Sequence, residues 1–140
     1  QLGMWKYIKE AYKPDSMLYN TIKADYEVRP QYYAYTLLTR FLTPDSKVYP
    51  IEMAHEFVTG TAFEDAQGKW TYVFVNGSEE EERLKLTQLS DKKVFDLYIY
   101  ADDLLPEGDC LIEAKEKVIP KDGSFLITLR PQTVLLYRER

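Results

Sequence analysis

Residues 70–75 read Trp70-Thr71-Tyr72-Val73-Phe74-Val75, six consecutive side chains that favour the pleated, half-buried surface of a sheet. Gly68 stands before the run and Asn76-Gly77 after it, so turn chemistry closes both ends. Working outward, Ile51, Met53, His55 and Phe57 alternate with Glu52, Ala54, Glu56 and Val58 at the strand period. Further strand candidates run from Arg83 to Leu89, Val94 to Tyr100, Leu111 to Ile119, Phe125 to Leu129 and Thr133 to Arg138. Gly60, Gly68, Gly77, Gly108 and Gly123 fall between these runs and read as turns, because glycine reaches positive φ without steric cost. Asn76-Gly77 and Asp122-Gly123 carry the strongest hairpin signals. Short strands in such number, with no helix between them, predict a mainly β chain: an antiparallel β-sandwich of seven or eight strands over 46–140.

The first 45 residues read differently and form a helical lead-in to that sandwich. Met4 to Tyr12 has the pattern of a short amphipathic helix, with Trp5 and Ile8 on one side, stopped by Pro14 and Asp15. The stronger helix is PQYYAYTLLTRFL, Pro30 to Leu42, with proline at the first position and Thr43-Pro44-Asp45 as its stop. Ala34, Leu38 and Phe41 repeat at the helical period, Tyr33 and Leu37 widen the stripe, and little of the circumference is polar. Such a helix is expected to lie between two layers. Tyr33, Leu37 and Phe41 are therefore the expected interface, meeting either another domain or a second copy of the chain.

Composition narrows the function classes. The 140 residues carry a net charge of -5, 45% hydrophobic and 29% charged side chains, and twelve tyrosines, which describes a globular chain with one ordinary core. The acidic balance and the lack of a basic stripe argue against nucleic acid as a partner. No stretch approaches the roughly 18 uninterrupted apolar residues of a membrane-spanning helix. The expected compartment is secreted or periplasmic. Cys110 is the only cysteine; it cannot form an internal disulfide and reads as a small apolar residue in or near a strand.

No catalytic or metal constellation emerges, and no cofactor is implied. His55, the only histidine, reads as a packed, hydrogen-bonded side chain on the apolar side of its strand. Asp102, Asp103, Glu107 and Asp109 surround a Pro-Gly loop but lack the ordered ligand spacing of a calcium loop. Asn76-Gly77-Ser78 matches a glycosylation acceptor, yet the turn already accounts for it. Two carboxylates suffice for glycoside hydrolysis, but no pair stands out. The aromatic rows are the most promising surface: if Trp70, Tyr72, Tyr98 and Tyr100 pointed outward together they would form a platform for sugar rings. The competing expectation is that at least one row is core.

Three segments in order carry a resemblance. RPQYYAYTLLTRFL from Arg29 to Leu42 with the strand at Lys47-Val48-Tyr49, then GKWTYVFVNGS from Gly68 to Ser78, then LRPQTVLLYRE from Leu129 to Glu139 resemble the retaining glycoside hydrolases of the large (β/α)8-barrel clan. There the last barrel helix hands over to a C-terminal β-sandwich. The catalytic glutamates of those enzymes lie on barrel strands, and no such strand is recognisable here. The resemblance therefore implies a non-catalytic accessory domain that packs against a catalytic barrel and stabilises it. A carbohydrate-binding module, with polysaccharide as its partner, and a free-standing enzyme using two acidic residues remain the other readings.

Overall fold

The computed structural model describes residues 30–108 and 110–140. The helix expected over Met4–Tyr12, the Arg29 end of the resemblance and Asp109 lie outside the described residues. Helix α1 (Pro30–Phe41) is followed by β1 (Lys47–Pro50), β2 (Val58–Glu64), β3 (Trp70–Asn76), β4 (Glu82–Leu86), β5 (Phe95–Tyr100), a 3-10 turn at Asp102–Leu104, β6 (Glu116–Val118), β7 (Phe125–Leu129) and β8 (Thr133–Glu139). Six strands form one sheet in the order β1-β2-β3-β8-β5-β6, and β4 with β7 forms a second. Every pairing is antiparallel, as the strand runs predict. The last strand in sequence, β8, occupies the middle of the large sheet.

Register decides which side chains share a face. Tyr72 pairs with Tyr137 and Tyr137 with Leu97, while Val73 pairs with Leu136 and Leu136 with Tyr98. Directly opposed residues project to the same side of a sheet. The first row, with Phe74, Phe95 and Leu135, points inward and packs on Phe125, Ile127 and Leu129 of β7 and on Leu84 and Leu86 of β4. The second row points outward and lies beneath α1 and Ile112. Both faces of β3, β5 and β8 are thus covered, which is why these strands read as near-continuous apolar runs and not as an alternation.

Helix α1 lies on the outer face. Tyr33 and Leu37, one turn apart, are 4% and 3% exposed and join Val73, Tyr98 and Leu136 in one cluster. Phe41 continues the stripe, its ring centroid 4.9 Å from that of Tyr98. The Tyr33 hydroxyl donates to the Gly108 carbonyl at 2.5 Å, fixing the following loop against the helix. The opposite side carries Thr39 and Tyr35, the latter 44% exposed, while Arg40 reaches over the Phe41 and Tyr98 rings and donates to the Ile112 carbonyl at 3.4 Å. The expected interface of Tyr33 and Leu37 is corrected accordingly: these two side chains are consumed by the chain's own sheet, with Phe41 half-buried beside them.

Four turn and strand expectations also change. Ile51, Met53 and His55 remain half-buried and Glu52, Ala54 and Glu56 exposed, but 51–57 is a loop with Phe57 facing solvent; among the described residues no strand pairs with it to form a ladder. Gly60 sits inside β2, where a Cβ would meet Met53 Sδ at 3.0 Å and the Phe74 ring at 3.1 Å, so glycine there permits close approach and is not a turn. Asn76-Gly77 is not a hairpin, since β3 and β4 belong to different sheets. Asp122-Gly123 does form the expected tight turn, with φ of 52° and 68° and reciprocal Lys121–Ser124 backbone bonds of 2.8 and 3.1 Å. Of the run 111–119 only Glu116–Val118 is strand. Glu79 to Glu81 are exposed ahead of β4, as a solvated approach to a strand should be.

The β2–β3 hairpin is tied to β8 by one ion pair. Asp65 accepts from the backbone N–H groups of Gln67 and Lys69, both at 2.9 Å, and from Arg138 Nη2 at 2.6 Å. The Arg138 hydrogen bond and the turn N–H groups hold the Asp65 carboxyl below its ordinary value of 3.8. A carboxylate with a depressed folded pKa contributes stability that is complete above the unfolded value and is lost as pH falls through the folded one. Asp65→Asn should therefore melt lower than the parent at pH 7, and the gap should narrow as pH drops below about 4. Paired thermal melts from pH 7 to pH 2.5 check this, and a gap independent of pH contradicts it.

Candidate functional site

A two-stranded sheet cannot roof six strands. At the end of the inner face nearest β1, the cover is supplied by the 87–93 connection between β4 and β5 and by the residues following β1. Gln88 takes a φ of 64° to turn that connection. The Leu89 N–H donates to the Gly123 carbonyl at 2.9 Å and the Gly123 N–H to Asp91 Oδ1 at 2.7 Å. Between this loop and the sheet lies a cleft of about 690 Å³, with Trp70 and Tyr72 on its floor, Ile51 and Leu86 at its sides, and Glu52, Gln88, Ser90 and Lys93 among its polar lining.

Trp70 and Tyr72 are two residues apart on β3, so the pleat sends both into this cleft. Their ring planes are 10° from parallel at a centroid distance of 6.0 Å. Tyr49 on β1 adds a third ring, 5.4 Å from Trp70 and inclined by 41°; it is 40% exposed. Tyr72 is buttressed from below by Phe95 at 5.5 Å. Glu139 organises the remaining edge: its Oε2 accepts from the Trp70 N–H at 3.0 Å and from Lys93 Nζ at 2.9 Å. Burial, with the Glu139 charge nearby, pushes the Tyr72 hydroxyl up to about 12, so it stays a neutral phenol.

The four aromatic residues expected to share a platform are separated by the sheet. Trp70 and Tyr72 are half-buried on the inner face; Tyr98, 6% exposed, and Tyr100 are on the outer face under the helix. The period of two states which residues of one strand share a face, but the Tyr98–Leu136–Val73 register assigns the two tyrosines to the opposite side from Tyr72. The ring that joins Trp70 from another strand is Tyr49, beside the cleft. It escaped the sequence reading because Lys47–Pro50 is short and its partner in the site lies across β2.

The other chemistry-bearing residues have structural surroundings. His55 Nδ1 lies 2.8 Å from Glu82 Oε2, consistent with a packed, hydrogen-bonded imidazole, although it sits in a loop. Asp103 is paired twice with Arg130 Nη2, at 2.8 and 2.9 Å, which lowers its carboxyl from the ordinary range. Among the described residues no group of three or more His, Cys, Asp or Glu side chains is arranged to hold a metal ion. Cys110 is exposed in the loop after the 3-10 turn, not packed in or near a strand: of the described residues 110–119 only Glu116–Val118 pair. Among the described residues no helix is long and apolar enough to cross a membrane.

No protein-family description matches the sequence, and no curated protein matches it. Solved structures do share its fold. A glycoside hydrolase family 30 endoxylanase from Clostridium papyrosolvens superposes with a TM-score of 0.61 at 15% identity, over 84% of this chain and 29% of that one. The family 30 subfamily 8 xylanase from Clostridium acetobutylicum gives 0.61 at 12% identity, over 83% and 29%. The catalytic domain of xylanase C from Talaromyces cellulolyticus gives 0.56 at 18% identity, over 77% and 23%. At these identities the likeness is one of fold, and the chain spans less than a third of each xylanase. The β-rich architecture expected from the resemblance to glycoside hydrolases is thus found, in xylanases of one family.

Proposed function

We propose that this chain is a non-catalytic accessory β-sandwich of a glycoside hydrolase-like protein, packing against a catalytic barrel and stabilising it. The observation that carries the reading is the superposition of most of the chain on under a third of two family 30 xylanases, a share suited to one domain of a larger enzyme. The side bearing α1 is the proposed contact, through residues other than Tyr33 and Leu37; contacts between domains of one chain cover about 600–1,500 Å². The compartment is secreted or periplasmic, where polysaccharide substrates are met.

The test extends the reading frame upstream of Gln1, then expresses the full polypeptide and a version lacking 46–140. The full polypeptide should contain a barrel that hydrolyses xylan or a related glycan. Deletion of the sandwich should lower its melting temperature by about 5 °C or more, as loss of a few kcal/mol of interface does. The 140-residue chain alone should leave chromogenic xylosides and glucosides intact. Turnover by the chain alone, an upstream frame without a barrel, or a deletion that leaves melting unchanged overturns the proposal.

A further inference from the structure

We infer that the cleft beneath the 87–93 connection is a binding site for an uncharged oligosaccharide of flat pyranose rings with equatorial substituents, as in β-1,4-linked glucose or xylose. The inference stands apart from the accessory-domain reading, because it uses only this cleft. Its volume of about 690 Å³ falls within the roughly 300–1,000 Å³ of ligand sites. Its lining includes the stacked Trp70 and Tyr72 rings, and Tyr49 packs on Trp70 just outside that lining. A pyranose whose hydroxyls are all equatorial presents only C–H groups above and below its plane. Such a face is apolar and packs flat on an aromatic ring, while the hydroxyls at its rim seek hydrogen bonds. Gln88 and Ser90 line the cleft at that rim and offer both donors and acceptors.

Two further features narrow the ligand. The rings are held before any ligand arrives: Phe95 backs Tyr72 and Glu139 fixes the Trp70 backbone, so little ordering cost remains. The cation of the site, Lys93, is already paired with Glu139 at 2.9 Å, and Glu52 adds an exposed carboxylate. A uronate or phosphate would meet a spent lysine and a like charge, whereas an uncharged sugar meets no such opposition.

The probes are cellohexaose and xylohexaose, with β-1,4-galactotetraose as the comparison whose axial C4 oxygen interrupts the flat face. Titration of the 140-residue chain, followed by calorimetry and by the indole N–H resonance of Trp70, should show saturable binding of at least one flat-ringed probe and at least tenfold weaker binding of the galactan. Trp70→Ala and Tyr49→Ala should each weaken binding tenfold or more. Phe57→Ala, in the loop before β2 and away from the cleft, should leave it unchanged. Melting curves verify folding, and should Trp70→Ala fail to fold, Tyr49→Ala on its exposed edge strand decides. Absence of saturable binding to both flat probes, equal affinity for the galactan, or wild-type affinity in a folded Trp70→Ala or Tyr49→Ala variant overturns the inference.

Discussion

Leu136→Asp leaves the chain unfolded. Leu136 is on the central strand, 0% exposed, in the outer cluster with Tyr33, Leu37, Val73 and Tyr98. The substitution removes a full leucine from a packed site, which alone costs about 2–5 kcal/mol. It also buries a carboxylate without a partner, adding several kcal/mol or forcing the group to stay protonated. Against a net stability of roughly 5–15 kcal/mol for a domain, the sum is decisive. Circular dichroism at 25 °C should show loss of the strand signal, while Leu126→Asp, on an outward-facing and largely exposed position of β7, should melt within a few degrees of the parent. A cooperative, near-native melt for Leu136→Asp would mean that water reaches the outer face and that α1 does not cover it.

Asn76→Ala lowers stability by about 3 kcal/mol or more, from roughly 1–3 kcal/mol for each buried polar group deprived of its partner. Asn76 is 1% exposed at the corner where the chain leaves the large sheet for the small one. Its Nδ2 donates to the carbonyls of Glu80 at 2.8 Å and of Leu129 and Arg130, both at 3.2 Å. Its Oδ1 accepts from the Ser78 N–H at 2.9 Å and the Ser78 hydroxyl at 2.8 Å. One amide thus joins the end of β3, the approach to β4 and the β7–β8 turn. Urea denaturation should show a lower midpoint at unchanged slope; an unfolding free energy within about 0.3 kcal/mol of the parent contradicts the assignment. The same burial removes Asn76 as a glycosylation acceptor in the folded chain.

Local chemistry made much of this fold legible. The runs at Trp70, Phe125 and Thr133 begin where β3, β7 and β8 begin, because dense β-formers bounded by turn residues leave few alternatives. Pairing between distant strands was not legible, and each correction traces to it. The alternation from Ile51 to Glu56 persists as alternating burial, but a strand exists only where a neighbour accepts its hydrogen bonds. Asn76-Gly77 announces a turn without saying whether the next strand stays in the sheet. The rows at Trp70 and Tyr98 follow the period of two within their strands, and only the register through β8 reveals that they face opposite ways. The broad apolar circumference of α1 predicts two interfaces; one of them is the outer face of its own sheet, whose existence depends on a strand a hundred residues later in the chain.

The covering of the large sheet by its own helix is the claim on which these assignments rest, and methyl-resolved nuclear Overhauser spectra of the labelled chain test it most directly. Leu37 methyl protons should show cross-peaks to the Tyr98 ring and to the methyl groups of Leu136, whose side chains share one buried cluster. Leu37 methyls that lack those cross-peaks and instead exchange magnetisation with water would contradict it.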